Sequence, residues 1–232
     1  SSSSYWRGLF LNNNSPEAHF DYCQFLYAGQ DSYGNRKAFV NNGCSNLTLN
    51  NCLIQHSYGD GFYAEGLASN DVCSINNLSI KDVNWTGFYC NNSYYNLNVA
   101  GLDLQNIGGY PLQVSADLVN CFSSISFYNI GNPYIPIKST TQSRTATWQN
   151  FGLPYLVSQG LTVNNGVTLN ISAGTTIYFA DYVIYSTNPY FTVYGALNTL
   201  GTVSELVFFR GMDSDLSSWC GLKINQPELC VI

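Results

Sequence analysis

Asp60 and Glu65 flank Gly61-Phe62, with His56 just before them and Asp31 and Arg36 some way upstream. Cleavage of a glycosidic bond needs paired carboxylates, so Asp60, Glu65 and Asp31 are the residues from which such a catalytic pair would be drawn. The same residues also read as turns: Asp60-Gly61 and Glu65-Gly66 are ordinary turn dipeptides, and that reading outweighs the catalytic one. Other chemistries have less to build on. No G-x-S-x-G, phosphate-binding loop or dinucleotide fingerprint occurs. No cysteine pair has the C-x-x-C spacing, and His19 and His56 lie far apart, so neither a metal site nor a cofactor is expected.

Aromatic side chains are the other chemical signal. Tyr58, Trp85, Tyr94, Tyr95, Tyr110, Tyr128 and Tyr134 fall at turns or at alternating positions that face outward. Exposed ring faces suit the C–H faces of sugars, so these residues are candidate carbohydrate contacts. Packing of the rings along the molecule or between chains is the competing use. Asn13, Asn46, Asn77, Asn84, Asn91 and Asn170 begin N-x-Ser/Thr sequons and are candidate glycosylation sites. Their number is close to what chance supplies in a chain this rich in asparagine, serine and threonine, so it proves nothing by itself.

The background in which these residues sit excludes several functions. Of 232 residues only 9% are charged, against roughly 25% in an average soluble protein. The net charge is −6, with eight Lys plus Arg, which leaves little to neutralise phosphate, so nucleic acid is not an expected partner. No apolar run reaches the length of about 18 residues that a membrane-spanning helix requires, so membrane insertion is not expected either. Hydrophobic residues at 45% are enough for a core. Surface polarity comes from neutral groups, with 28 asparagines leading. Eight cysteines favour an oxidising compartment, extracellular or at the cell surface. Cys52 and Cys90 fall at inward positions, Cys44 and Cys73 are candidates for a bridge between successive turns, and Cys220 and Cys230 for a local loop.

These residues are positioned by a repeat. Phe20-Asp-Tyr22-Cys-Gln-Phe25, Leu47-Thr-Leu49-Asn-Asn51-Cys52, Leu78-Ser-Ile80-Lys-Asp82-Val83, Leu102-Asp-Leu104-Gln-Asn106-Ile107, Ile125-Ser-Phe127-Tyr-Asn129-Ile130 and Ala146-Thr-Trp148-Gln-Asn150-Phe151 share the form apolar-x-apolar-x-polar-apolar. Further short alternations, such as Phe62-x-Ala64, Phe88-x-Cys90 and Leu112-x-Val114, follow after glycine turns. Three period-2 strands per repeat, with almost no helical periodicity, predict an all-β fold: a parallel β-helix, or solenoid, with coils of about 21–31 residues and three short strands each. In this alignment Leu49, Ile80, Leu104 and Phe127 form one inward column, and Gln24, Asn51, Asp82, Asn106, Asn129 and Asn150 one polar column. Amides stacked at the sheet spacing of about 4.8 Å can bond to the coils above and below.

The stacked coils resemble the right-handed parallel β-helices of the pectate-lyase-like superfamily. The stretch 161–179, from Leu161-Thr-Val-Asn-Asn-Gly to Thr-Ile-Tyr-Phe179, is similar to a module of large secreted or surface-attached bacterial β-helix proteins. So are the segments that follow it, Tyr194-Gly-Ala-Leu-Asn-Thr-Leu-Gly-Thr, Val207-Phe-Phe-Arg and Trp219-Cys-Gly-Leu222. The resemblance implies an architecture more than an activity, because this fold hosts lyases, hydrolases, adhesins and structural fibres. The enzymes among them would need an acid cluster binding calcium with a nearby Arg or Lys, or two or three Asp on adjacent coils, and the 14 acids here are spread thinly.

Trp6-Arg-Gly8-Leu9 recurs as Trp219-Cys-Gly221-Leu222, 213 residues later. The recurrence suggests a single β-helix domain over 1–232 that is a fragment or one repeat unit of a longer chain, with ends able to stack on further copies. The expected function is that of a non-catalytic structural or adhesive extracellular protein, self-associating end to end and contacting polysaccharide or glycans. The alternative is a polysaccharide lyase or glycoside hydrolase.

Overall fold

The computed structural model describes residues 6–12, 15–29, 36–65, 70–91, 96–180, 190–212, 220–225 and 230–231. The chain is all-β with almost no helix: a parallel β-solenoid of about six turns, with coils near 26 residues. Its residues group into two compact units, one comprising residues 1–114 and 121–133, the other 115–120 and 134–232.

The first unit contains strands β1 (Leu9–Asn12), β2 (Ala18–Asp21), β3 (Gln24–Leu26), β4 (Lys37–Asn42), β5 (Asn46–Asn50), β6 (Leu53–Ser57), β7 (Asp60–Ala64), β8 (Val72–Val83), β9 (Phe88–Cys90), β10 (Asn96–Ile107), β11 (Leu112–Val114) and β12 (Phe122–Ile130). One parallel sheet runs β1-β4-β7-β9-β11; the other runs β12-β10-β8-β5-β2, with β3 and β6 extending it beside β8.

The second sheet of this unit has a regular cause. Each coil carries two consecutive pentads, of the form apolar-x-apolar-x-bend save that Asn120 opens the one ending at Ser124, and the fifth residue of each adopts the left-handed conformation. Tyr22, Asn51, Asn77, Gly101 and Ser124 form one bend column, with φ between 53° and 74°. Tyr27, His56, Asp82, Asn106 and Asn129 form a second, with φ between 52° and 57°. In both columns successive members are 29, 26, 24 and 23 residues apart, and the two columns are five residues apart in every coil. Left-handed backbone disfavours most L-residues and is best tolerated by Asn, Asp and Gly, which explains the amides found there.

The double pentad corrects the coil alignment expected from sequence. Leu49 pairs with Ile75, not with Ile80. Ile80 pairs with Ile54 of the preceding coil and Leu104 of the next, and Leu104 with Phe127. Asn51 accordingly stacks on Asn77, whereas Asp82, Asn106 and Asn129 share the second column as expected. Both pentads carry the same residue pattern, so an alignment by pattern can slip from one to the other. Inside, Phe39, Phe62 and Phe88 stack with centroids 5.4 and 4.5 Å apart, above the fully buried Leu47, Leu49, Ile54, Ile75, Ile80 and Leu104. Burial of each such side chain contributes about 1.5–3 kcal/mol.

The second unit contains β13 (Ile135–Ile137), β14 (Thr141–Gln142), β15 (Ala146–Trp148), β16 (Tyr155–Val157), β17 (Leu161–Val163), β18 (Thr168–Ser172), β19 (Thr176–Phe179), β20 (Tyr190–Val193), β21 (Ala196–Leu200), β22 (Phe208–Gly211), β23 (Gly221–Ile224) and β24 (Cys230–Val231). They form three parallel columns, β13-β16-β19-β22, β14-β17-β20-β23 and β15-β18-β21-β24, one strand of each per coil. Trp148, Tyr155, Phe179 and Phe191 fill its core. At its start Asp117, only 1% exposed, accepts hydrogen bonds from Gln142 Nε2, Ser143 N, Ser143 Oγ and Arg144 N, and Gln142 Oε1 accepts from Trp148 Nε1. A buried carboxylate is tolerated because every one of these donors is aimed at it.

Candidate functional site

The most heavily functionalised surface lies on the outward face of the second pentads. Side chains alternate along a strand, so positions two and four of each pentad face out. Across coils the register aligns Ser79, Asp103 and Ser126 in one row and Gln55, Lys81, Gln105 and Tyr128 in the next, beside the bend column His56-Asp82-Asn106-Asn129. Three charged side chains and a histidine therefore meet, although the chain has few charges to place. Lys81 Nζ is 3.5 Å from Asp103 Oδ2, and His56 Nδ1 is 3.5 Å from Asp82 Oδ2.

Both carboxylates are bonded along the solenoid. Asp82 accepts from Gln55 Nε2 at 2.7 Å and from Asn106 Nδ2 at 2.8 Å, and Asn129 Nδ2 donates in turn to Asn106 Oδ1 at 2.9 Å. The Gln55 and Asn106 bonds, with the charges of His56 and Lys81, hold the Asp82 carboxyl below its ordinary range. Asp103 accepts from Ser126 Oγ, Gln105 Nε2 and Ser79 Oγ at 2.8–3.1 Å. Burial opposes its ionisation, but those bonds and Lys81 outweigh it and lower its pKa as well.

Beside Asp103 the first bend column is interrupted at Gly101. Its φ of +74° suits glycine, and a Cβ there would come within 2.6 Å of Asn77 Oδ1. A notch of about 260 Å³ lies here, lined by Asn77, Ser79, Gly101, Asp103, Ser124 and Ser126.

Of the residues expected to form a catalytic pair, Asp60 and Glu65 take different hydrogen-bond partners. Asp60 has the parity of the inward Phe62 and Ala64, and its Oδ1 accepts the Thr86 backbone N–H at 2.9 Å. Burial pushes its carboxyl up, partly offset by that bond and by Lys37. Glu65, five residues on, has the opposite parity and accepts from the Tyr63 hydroxyl. Asp31 lies outside the described residues. His56 joins Asp82 and stacks on Tyr27 with ring centroids 4.7 Å apart.

Near Glu65 a groove of about 280 Å³ is lined by Phe10, Asn12, Lys37, Val40, Asn42 and Tyr63. The faces of Tyr63 are occupied, by Lys37 Nζ at 3.6 Å from the ring centroid and by Tyr89, stacked at 4.5 Å and 4°. Burial, then the bond to Glu65, raise the Tyr63 pKa well above that of an ordinary phenol.

The aromatic candidates separate into different environments. The Arg36 guanidinium lies 5.4 Å from the Tyr58 ring and 5.0 Å from the Trp85 ring, a cation–π pairing with each. Trp85 remains 44% exposed, and Tyr128, on the polar face beside Ser126, 69% exposed. Tyr110 is half-buried. Tyr134, in the second unit, is half-buried edge-on to Tyr178. Tyr94 and Tyr95 lie outside the described residues.

The sequon asparagines also differ. Asn77 donates its amide to Asn51, Asn84 to the Tyr58 carbonyl, and Asn170 to Thr147 within the ladder Thr147-Asn170-Asn198. Asn91 Oδ1 is buried and without a hydrogen-bond partner. Asn46 is exposed at the start of β5, and Asn13 lies outside the described residues. Cys44 and Cys73 are buried, and Cys220 is exposed. Cys73 pairs in register with Leu47, three residues beyond Cys44, and Cys44 Sγ donates to the Asn46 carbonyl. The Cys230 side chain lies outside the described residues. Cys52 and Cys90 are buried, as their inward positions require.

Among the described residues no group of three or more His, Cys, Asp or Glu could hold a metal ion, and no helix is long and apolar enough to cross a membrane. The comparisons with known families, with curated proteins and with solved structures give no match. Sequence reasoning missed the meeting of Lys81, Asp82 and Asp103, whose signal was the five-residue offset between the two bend columns.

Proposed function

We propose that the chain is a non-catalytic module of an extracellular or cell-surface structural or adhesive protein, with the right-handed winding and pectate-lyase-like kinship its sequence resembles. One observation carries this reading: the polar side chains of the richest surface bond from coil to coil. Asp82 takes Gln55 and Asn106 as donors, and Asp103 takes Ser79 and Ser126. Carboxylates arranged this way hold successive coils together, which is the need of a structural rod. Tyr128 and Trp85, exposed among the aromatic candidates, are the surfaces offered to polysaccharide or glycans. Stacking of copies end to end belongs to the same reading. Its support is the recurrence of Trp-x-Gly-Leu, whose glycines, Gly8 and Gly221, share φ values of +114° and +106°.

A second reading, a polysaccharide lyase or glycoside hydrolase, draws on the meeting of Lys81, Asp82 and Asp103. Incubation with acidic and neutral polysaccharides, with and without calcium, decides between them. The structural reading predicts no depolymerisation under any condition. Cleavage that disappears in Asp103→Asn or Asp82→Asn would make the enzyme reading primary.

A further inference from the structure

Cys23 and Cys52 each follow directly on a residue of the first bend column, Tyr22 and Asn51, and each opens a second pentad. The pairing Gln24↔Leu53, with the Leu53 N–H donating to the Cys23 carbonyl at 2.9 Å, makes the two cysteines stacked neighbours on adjacent coils. Stacked residues in a sheet lie about 5 Å apart at Cα, inside the range of about 4.4–6.8 Å that a disulfide spans. Cys52 Sγ reaches towards the upper coil, donating to the Phe20 carbonyl at 3.5 Å as well as to Asn50 O at 3.2 Å. Burial chiefly raises the pKa of Cys52, and the nearby Cys23 thiol adds to that rise.

We propose that Cys23 and Cys52 are a disulfide-forming pair, a covalent staple between the first two coils of the first unit, made by exchange with a low-molecular-weight disulfide such as oxidised glutathione. Cys23 is half-buried and Cys52 buried, so the order of events follows from access. The Cys23 thiolate attacks oxidised glutathione, forming a protein–glutathione mixed disulfide and releasing one glutathione thiolate. Cys52, having lost its proton to solvent, then attacks the Cys23 sulfur and expels the second glutathione thiolate. Two protein thiols are oxidised and one glutathione disulfide is reduced to two thiols. Closure is the slower step and accelerates as pH rises, because burial disfavours the Cys52 thiolate. The staple would operate in the oxidising compartment of the proposed function, but its chemistry is independent of that reading and of any ligand.

The test treats the whole folded chain with oxidised glutathione, quenches with an alkylating agent in denaturant and maps peptides by mass. The expected product is a cross-linked peptide containing Cys23 and Cys52, lighter by two hydrogen masses, with an unfolding midpoint above that of the reduced protein. Cys23→Ser should remove both changes, and Cys52→Ala should leave Cys23 carrying glutathione. Recovery of Cys52 fully alkylated after oxidation, or of cross-links only at other cysteines, would overturn the proposal. Should Cys23→Ser fail to fold, the peptide map of the unaltered protein still decides.

Discussion

The two units make the same kind of parallel coil with different bends. In the first, nine of the described non-glycine residues adopt positive φ, and the second bend column carries side chains, Tyr27, His56, Asp82, Asn106 and Asn129, that meet their counterparts on adjacent coils. In the second unit the residues with positive φ are all glycines among those described, namely Gly152, Gly160, Gly166, Gly174 and Gly221. Its amide ladder, Thr147-Asn170-Asn198, runs along strands and not along a bend. A glycine bend turns the chain without strain but presents nothing outward. A side-chain bend costs about 1–2 kcal/mol in backbone conformation and gains a bond to the next coil. The first unit therefore places its chemistry-bearing residues at its corners.

The cores do not share this difference, so the largest expected effect should be common to both units. Leu104→Asp in the first and Ile171→Asp in the second each put an unpaired charge at a fully buried site, a cost of several kcal/mol. Both variants should fail to give soluble β-rich protein. Normal yield and unchanged thermal unfolding of Leu104→Asp would break the inward register.

The bends themselves give a smaller and more discriminating contrast. Asn106→Gly relieves a left-handed residue but removes its hydrogen bonds with Asp82 and Asn129, for a net loss of about 1 kcal/mol in chemical denaturation. Gly166→Asn, at φ +72° with open space around its Cβ position, should change stability by less than about 1 kcal/mol. A stabilising Asn106→Gly would mean that the bend column is tolerated for its conformation alone.

Acid should reach the first unit through the same column, as the smallest of these effects. Asp82 and Asp103 have pKa values lowered in the folded state, so each contributes stability that is present above the unfolded value of about 4 and is lost as pH falls through the folded value. Asp60 works in the opposite sense, since its raised folded pKa means that protonation relieves a cost. Stability measured from pH 6 downward should decline less steeply in Asp82→Asn than in the unaltered protein, and more steeply in Asp60→Asn.

The parallel solenoid and the amide stacking could be read from the sequence because apolar alternation and recurring Asn-apolar steps are local patterns. The phase could not. Leu47-x-Leu49-x-Asn51 and Leu78-x-Ile80-x-Asp82 look alike but belong to the first and second pentads, and a one-pentad slip moves every cross-coil neighbour. A separate two-residue offset, which sets Phe20 against Leu47 where the structure pairs it with Leu49, hid the Cys23–Cys52 stack. Asp60 and Glu65 looked like a pair because both adjoin turns. Their carboxylates take different partners, Asp60 the Thr86 backbone N–H and Glu65 the Tyr63 hydroxyl.

The central claim, that carboxylates on the first unit's outward face bind coil to coil, is tested most directly by a double-mutant cycle between Asp82 and Asn106. Stability of the unaltered protein, Asp82→Ala, Asn106→Ala and the double variant should yield a coupling of about 1 kcal/mol or more, as expected of contacting hydrogen-bonded residues. Effects that add to within about 0.3 kcal/mol would contradict it and leave Asp82 available for other work.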